Sequence, residues 1–185
     1  MLTNIAENEL SDQLLEAFRE ADGGTLYLDE ITEIPPRVQD EITKILRYQS
    51  TMTASGATES IDVRIIAATA KNPRQFVEED ERTKKFYNLL NSVYIKMPAL
   101  RERKEDICLL INYFLTRQNT RHANKIYNVS PSAQDHLLSY NWPGNVIQLE
   151  NVIERAFALG VRTMIEKDDL PKEIITFGEI AKIGS

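Results

Sequence analysis

Ala21-Asp-Gly-Gly-Thr-Leu-Tyr-Leu-Asp-Glu-Ile31 is the stretch on which the fold turns. Asp22-Gly23-Gly24 is a turn signal, because glycines reach conformations that side chains resist. Thr25 to Leu28 is a short apolar run of strand formers, and it stops abruptly at Asp29-Glu30. Two acids at a strand's end close it into a loop. They are also a pair in which one carboxylate could hold a hydrated Mg²⁺ while the other orients or deprotonates a water.

Outward from this stretch, Leu10 to Ala21 reads as a helix with Leu14, Leu15 and Phe18 on one side. Pro35-Pro36 suits a first helical turn, and Val38, Ile42, Ile45 and Leu46 continue at helical spacing to about Ser50. Thr51 to Ser60 is small and polar, a loop or hairpin. Val63 to Thr69 is a second buried strand. Pro73 to Leu90 predicts one or two short charged helices, and Val93 to Met97 alternates as a third strand closed by Pro98.

The pattern changes after Pro98. Ile107, Leu110, Ile111, Phe114 and Leu115 mark a helix over Asp106 to Arg117. Ser130 caps another from Pro131 to Tyr140. Trp142-Pro143-Gly144-Asn145 is a turn opening a longer helix with Val146, Leu149, Val152, Ile153, Ala156 and Phe157 on one face, stopped by Gly160. The organisation predicted is a partial α/β core over 1–98, a helical segment over 99–171 and an irregular tail over 172–185.

Composition narrows the function classes. Apolar residues at 42% and charged residues at 27% fit a globular domain. With 22 Lys and Arg against 28 Asp and Glu the net charge is −6, which disfavours binding to DNA through phosphate contacts. Acids interrupt even the basic cluster Arg101-Glu102-Arg103-Lys104. One cysteine, Cys108, precludes an internal disulfide and a multi-thiolate metal site. His122 and His136 are the available imidazoles, and no Ser-His-Asp or Cys-His apparatus is suggested. No stretch approaches the ~20 apolar residues of a membrane span. The start of the chain does not read as a secretory signal, so the cytoplasm is the expected compartment.

Four blocks in order carry a resemblance: Ala21 to Ile31, Val63-Arg-Ile-Ile-Ala-Ala-Thr69, Pro98-Ala-Leu-Arg-Glu-Arg-Lys-Glu-Asp-Ile107 and Trp142-Pro-Gly-Asn-Val146. Together they resemble the AAA+ domain of the bacterial enhancer-binding proteins, which activate RNA polymerase carrying sigma-54. The resemblance implies an α/β fold, a partial P-loop AAA+ parallel sheet with helices followed by a small all-helical lid. It also implies a ring of like subunits that uses ATP and Mg²⁺ to remodel the sigma-54 polymerase holoenzyme. On this resemblance Asp29 and Glu30 are the Walker B pair, Asp29 holding Mg²⁺ through water and Glu30 acting on the attacking water.

The rest of the family's apparatus is missing from these 185 residues. No Gly-x-x-x-x-Gly-Lys-Ser/Thr loop occurs, and none of the seven glycines is followed by lysine. The residues before Gly23 are too few for the missing strand, loop and helix. The Gly-Ala-Phe-Thr-Gly-Ala loop that touches the sigma factor is absent as well. Where the family has a sensor asparagine this chain has Ala70, with Asn72 as a weak substitute two residues on. The two arginine-finger positions hold Thr83 and Leu89, with Arg82 one place off, and the lid arginine is Ile147. Such an arginine is worth about 10³ to 10⁵ in rate. The reading is therefore a sigma-54 interaction domain segment unable to hydrolyse ATP alone. The alternative is a non-catalytic pseudo-ATPase module that associates with other subunits. Without the family's phosphate-loop strand, a gap is expected between Val63–Ala68 and Val93–Met97. The chain alone is then expected to repack, to pair with another chain or to be marginally stable.

Overall fold

The computed structural model describes residues 7–52, 58–72, 81–161 and 163–183. The chain divides into two compact units, Met1–Ile95 and Lys96–Ser185.

In the first unit, helix α1 (Glu7–Glu20) is followed by strand β1 (Thr25–Leu28), helix α2 (Pro36–Tyr48), strands β2 (Ser50–Met52), β3 (Thr58–Ser60) and β4 (Arg64–Ala67), and helix α3 (Glu81–Leu90). Pro36 starts α2 as expected, and Gln49 ends it in a left-handed conformation. The Gln39 side chain is buried, and its Nε2 donates to the Ile34 carbonyl at 2.8 Å, so the chain entering α2 is tied to its second turn. β2 and β3 pair antiparallel, which makes the polar stretch after α2 a hairpin; its tip, 53–57, lies outside the described residues. The stretch 73–80 does too, so the helix reading there is carried by α3 alone.

β1 and β4 pair in parallel, with Thr25 opposite Arg64 and Leu28 opposite Ala67. Period-2 alternation turns Leu26, Leu28, Ile65 and Ala67 toward a core built on Phe18, Ile42, Ile45 and Phe86. The opposite face carries Tyr27 and Ile66, both exposed.

Val93–Met97 does not form the third strand expected from its alternation. Its apolar side chains Val93, Tyr94, Ile95 and Met97 are exposed. The physical reason is pairing. A strand forms when a neighbour takes its N–H and C=O groups, and no strand lies alongside this stretch among the described residues.

The second unit is helical: α4 (Glu105–Asn119), α5 (Pro131–Ser139), α6 (Asn145–Ala158) and α7 (Lys172–Ile183), with a two-residue parallel bridge between β5 (Asn128–Val129) and β6 (Met164–Ile165). Ser130 Oγ accepts the Ala133 N–H at 3.3 Å, the cap read from sequence. Gly160 (φ 74°) ends α6, with Gly160 N–H on the Phe157 carbonyl and Val161 N–H on that of Ala156, both at 3.1 Å. Trp142, Leu149, Ile153 and Ile107 form the centre of the core.

The tail expected to be irregular from residue 172 is helix α7 up to Ile183. Pro171 precedes it, and Ile174 and Gly178, one turn apart, are both buried. Gly178 packs against the ring of His136 on α5, where an added Cβ would lie 2.5 Å from His136 Cδ2. The ring cannot easily retreat, because its Nδ1 hydrogen-bonds the Ser132 carbonyl at 2.7 Å. Gly178→Ala is expected to destabilise this unit by about 1–3 kcal/mol through overpacking, read as a lowered urea midpoint. An unchanged midpoint would mean that α7 does not press on α5.

Candidate functional site at the ends of two parallel strands

Open α/β sheets gather chemistry at the C-terminal ends of their strands. Here those ends are Asp29-Glu30 after β1 and Ala68 to Asn72 after β4. The parallel ladder runs on past both strands. Ala68 N–H donates to the Leu28 carbonyl at 2.9 Å, and Ile31 N–H donates back to the Ala68 carbonyl at 3.0 Å. The chain turns between these bonds at Glu30, which takes a left-handed conformation (φ 48°, ψ 54°) and leads into a 3-10 turn at Ile31–Glu33.

Each acid has a defined partner. Asp29 Oδ1 accepts the Tyr27 hydroxyl at 3.2 Å and the Glu30 backbone N–H at 3.1 Å. Glu30 Oε2 accepts the backbone N–H of Ala70 at 3.1 Å. The Tyr27 phenol is held above its ordinary value of 10.0. The cause is desolvation first, then the hydrogen bond to Asp29 and the negative charges of Asp29 and Glu30. Beside the pair, the Thr32 and Thr69 hydroxyls meet at 3.0 Å, and Lys71 Nζ lies 2.6 Å from Glu33 Oε1.

Of the residues singled out from sequence, Asp29 and Glu30 are thus adjacent to the β4 exit. Asn72 is exposed on the loop two residues beyond Ala70. The backbone of Arg82 is in the first turn of α3, and its side chain is outside the described residues. The positions expected to carry cations in the family differ sharply. Thr83 is only 4% exposed, on the inner face of α3, whereas Ile147 is 72% exposed near the start of α6. Sequence reasoning passed over Tyr27. Its signal was available, since residues two apart on a strand share a face, which puts its hydroxyl beside Asp29.

The Trp142–Asn145 turn does its work within the second unit. Trp142 Nε1 donates to the Leu137 carbonyl at 2.8 Å. Asn145, left-handed at φ 50°, accepts the Leu100 N–H on its Oδ1 at 2.9 Å. The Pro98 block is thereby fastened to the start of α6.

Comparison with known proteins gives two family matches: "Sigma-54 interaction domain" over residues 11–96 and "AAA+ ATPase lid domain" over residues 101–182. The transcriptional regulatory protein ZraR of Salmonella typhimurium is 42% identical over 158 residues, 85% of this chain and 36% of that protein. The nitrogen fixation protein AnfA of Azotobacter vinelandii is 37% identical over 88% of this chain and 31% of its own length. The crystal structure of NtrX from Brucella abortus in complex with ATP superposes with a TM-score of 0.80 at 31% identity, over 92% of this chain and 41% of NtrX. The chain therefore spans about a third of the length of the curated relatives it matches. In two adjoining matches that cover the α/β unit and the helical unit in turn, the chain belongs to the AAA+ sigma-54 interaction domain family of bacterial transcriptional activators.

Proposed function

We propose that this chain is the Walker B and lid portion of a cytoplasmic sigma-54 activator domain, and that these 185 residues do not hydrolyse ATP by themselves. Residues 1–98 would form the partial AAA+ core and 99–171 the lid. The observation that carries the reading is the fate of the two cation positions: Thr83 is packed into a core and Ile147 presents an alkyl group to solvent. Electrostatic stabilisation of a transferring phosphoryl group needs fixed positive or N–H groups aimed at it. Relatives in this family imply ATP and Mg²⁺, and NtrX was crystallised with ATP. The residues present here do not fit that group. The acidic pair could face a hydrated Mg²⁺, but no glycine-lysine phosphate loop occurs in the sequence.

The family implies like subunits and the sigma-54 polymerase holoenzyme as partners, with no direct DNA contact by this segment. No described helix is long and apolar enough to cross a membrane. A second reading, a non-catalytic module that associates with other subunits, is favoured by the packing residues that are kept: Trp142, Leu149 and Ile107 are all fully buried.

Calorimetric titration of ATP with Mg²⁺ into the purified chain tests the proposal. No saturable binding tighter than about 1 mM is expected, the equivalent of about −4 kcal/mol. Micromolar affinity abolished by Asp29→Asn would overturn it.

A further inference from the structure

The acidic pair at the end of β1 sits at the surface but bonds to its own chain. Asp29 Oδ1 is taken twice, by the Tyr27 hydroxyl and the Glu30 N–H, and Glu30 Oε2 is taken by Ala70 N–H, 40 positions away. Glu30 also holds a left-handed backbone, a costly conformation for a residue with a side chain, which persists only where surrounding bonds determine it. Those bonds are present on both sides of the turn: Ile31 N–H to Ala68, the Thr32–Thr69 hydroxyl pair and the Lys71–Glu33 ion pair.

We infer that Glu30 is a latch that fastens the exit of β4 to the exit of β1 and positions the 68–71 turn, with Tyr27 and Asp29 bracing the β1 exit from which it reaches. In this arrangement one oxygen of each carboxylate that the family implies for a cation and a water is taken by the protein's own N–H and O–H groups. The geometry gives the Glu30 carboxylate a structural role, because removing it frees the Ala70 N–H. The inference shares with the proposed function only the assignment of the pair as a Walker B remnant. It does not depend on whether nucleotide binds.

Amide hydrogen exchange followed by NMR on the whole 185-residue chain is the test. Glu30→Gln keeps a carbonyl oxygen for Ala70 N–H, and Glu30→Ala removes the acceptor. The Ala70 amide is expected to exchange about fivefold faster in Glu30→Ala, the loss of one ordinary hydrogen bond, and at the wild-type rate in Glu30→Gln. Equal rates in all three proteins would overturn the latch, as would Glu30→Gln behaving like Glu30→Ala. An arm without substitutions guards against a variant that fails to fold. Adding about 10 mM MgCl₂ to the wild-type chain is expected to leave the Ala70 rate unchanged. Acceleration by the metal alone would mean that the carboxylates turn outward to it, and the latch would be refuted. A positive ATP titration would sink the non-hydrolysing reading while the Ala70 rates still decide the latch.

Discussion

Thr83→Arg is expected to unfold the Met1–Ile95 unit rather than to restore a missing cation. Thr83 lies on the inner face of α3, three residues before Phe86, which is fully buried in the same core. Residues three apart on a helix share a face, so a longer side chain at 83 enters the packing around Phe86. A guanidinium there would have to give up its hydration to enter that packing. An uncompensated buried charge costs about 3 kcal/mol or more, a large part of what a unit of this size has to spare. Ile147→Arg is the contrasting case. That position is exposed, so the same charge is expected to change stability by no more than about 0.5 kcal/mol. Urea denaturation of the two variants against the parent, followed by circular dichroism, makes the comparison. A Thr83→Arg protein that melts like the parent would show that the inner face of α3 is looser than its burial implies. If the contrast holds, an arginine cannot be placed at position 83 by one substitution without disrupting the core around Phe86.

The second large effect is expected at Trp142. It is the sole tryptophan, it is fully buried, and its ring meets Tyr140 edge-to-face at 5.2 Å. Truncating a buried tryptophan to alanine costs about 3–5 kcal/mol from lost transfer energy and the cavity left behind. The Leu137 carbonyl, which receives the indole N–H, would lose that partner as well. Trp142→Ala is therefore expected to leave Lys96–Ser185 largely unfolded at ambient temperature. Trp142→Phe, which refills most of the volume, is expected to fall between the two. Helical circular dichroism reads all three proteins. A Trp142→Ala protein with the parent's urea midpoint would contradict the central place given to this side chain.

How much of this was legible beforehand depends on what carried each signal. β1, α2, α4 and α6 were readable because their apolar residues repeat at the strand or helix period, and the ends of β1, α2 and α6 carry glycine or proline besides. The Trp142–Asn145 turn was readable as a turn, but its bond to Leu100 was not, since that joins residues 45 apart. Val93–Met97 misled because alternation reports a side-chain pattern and says nothing about whether a neighbouring strand exists. The tail misled in the opposite sense. Helix α7 holds Phe177 against Tyr140 and Gly178 against His136, partners on other elements that local periodicity does not display. At the site, the acids at the end of β1 were legible as a pair that closes the strand. The burial of Thr83 was not, because threonine is at home on either face of a helix.

The separation of Glu30 from Ala70 along the chain has a kinetic consequence. Bringing together residues 40 positions apart costs about 3 kcal/mol in loop-closure entropy before any bond across the junction forms. The turn between the two strand exits is therefore expected to assemble late, after the local helices. Substitutions there should hasten unfolding while leaving the refolding rate almost untouched.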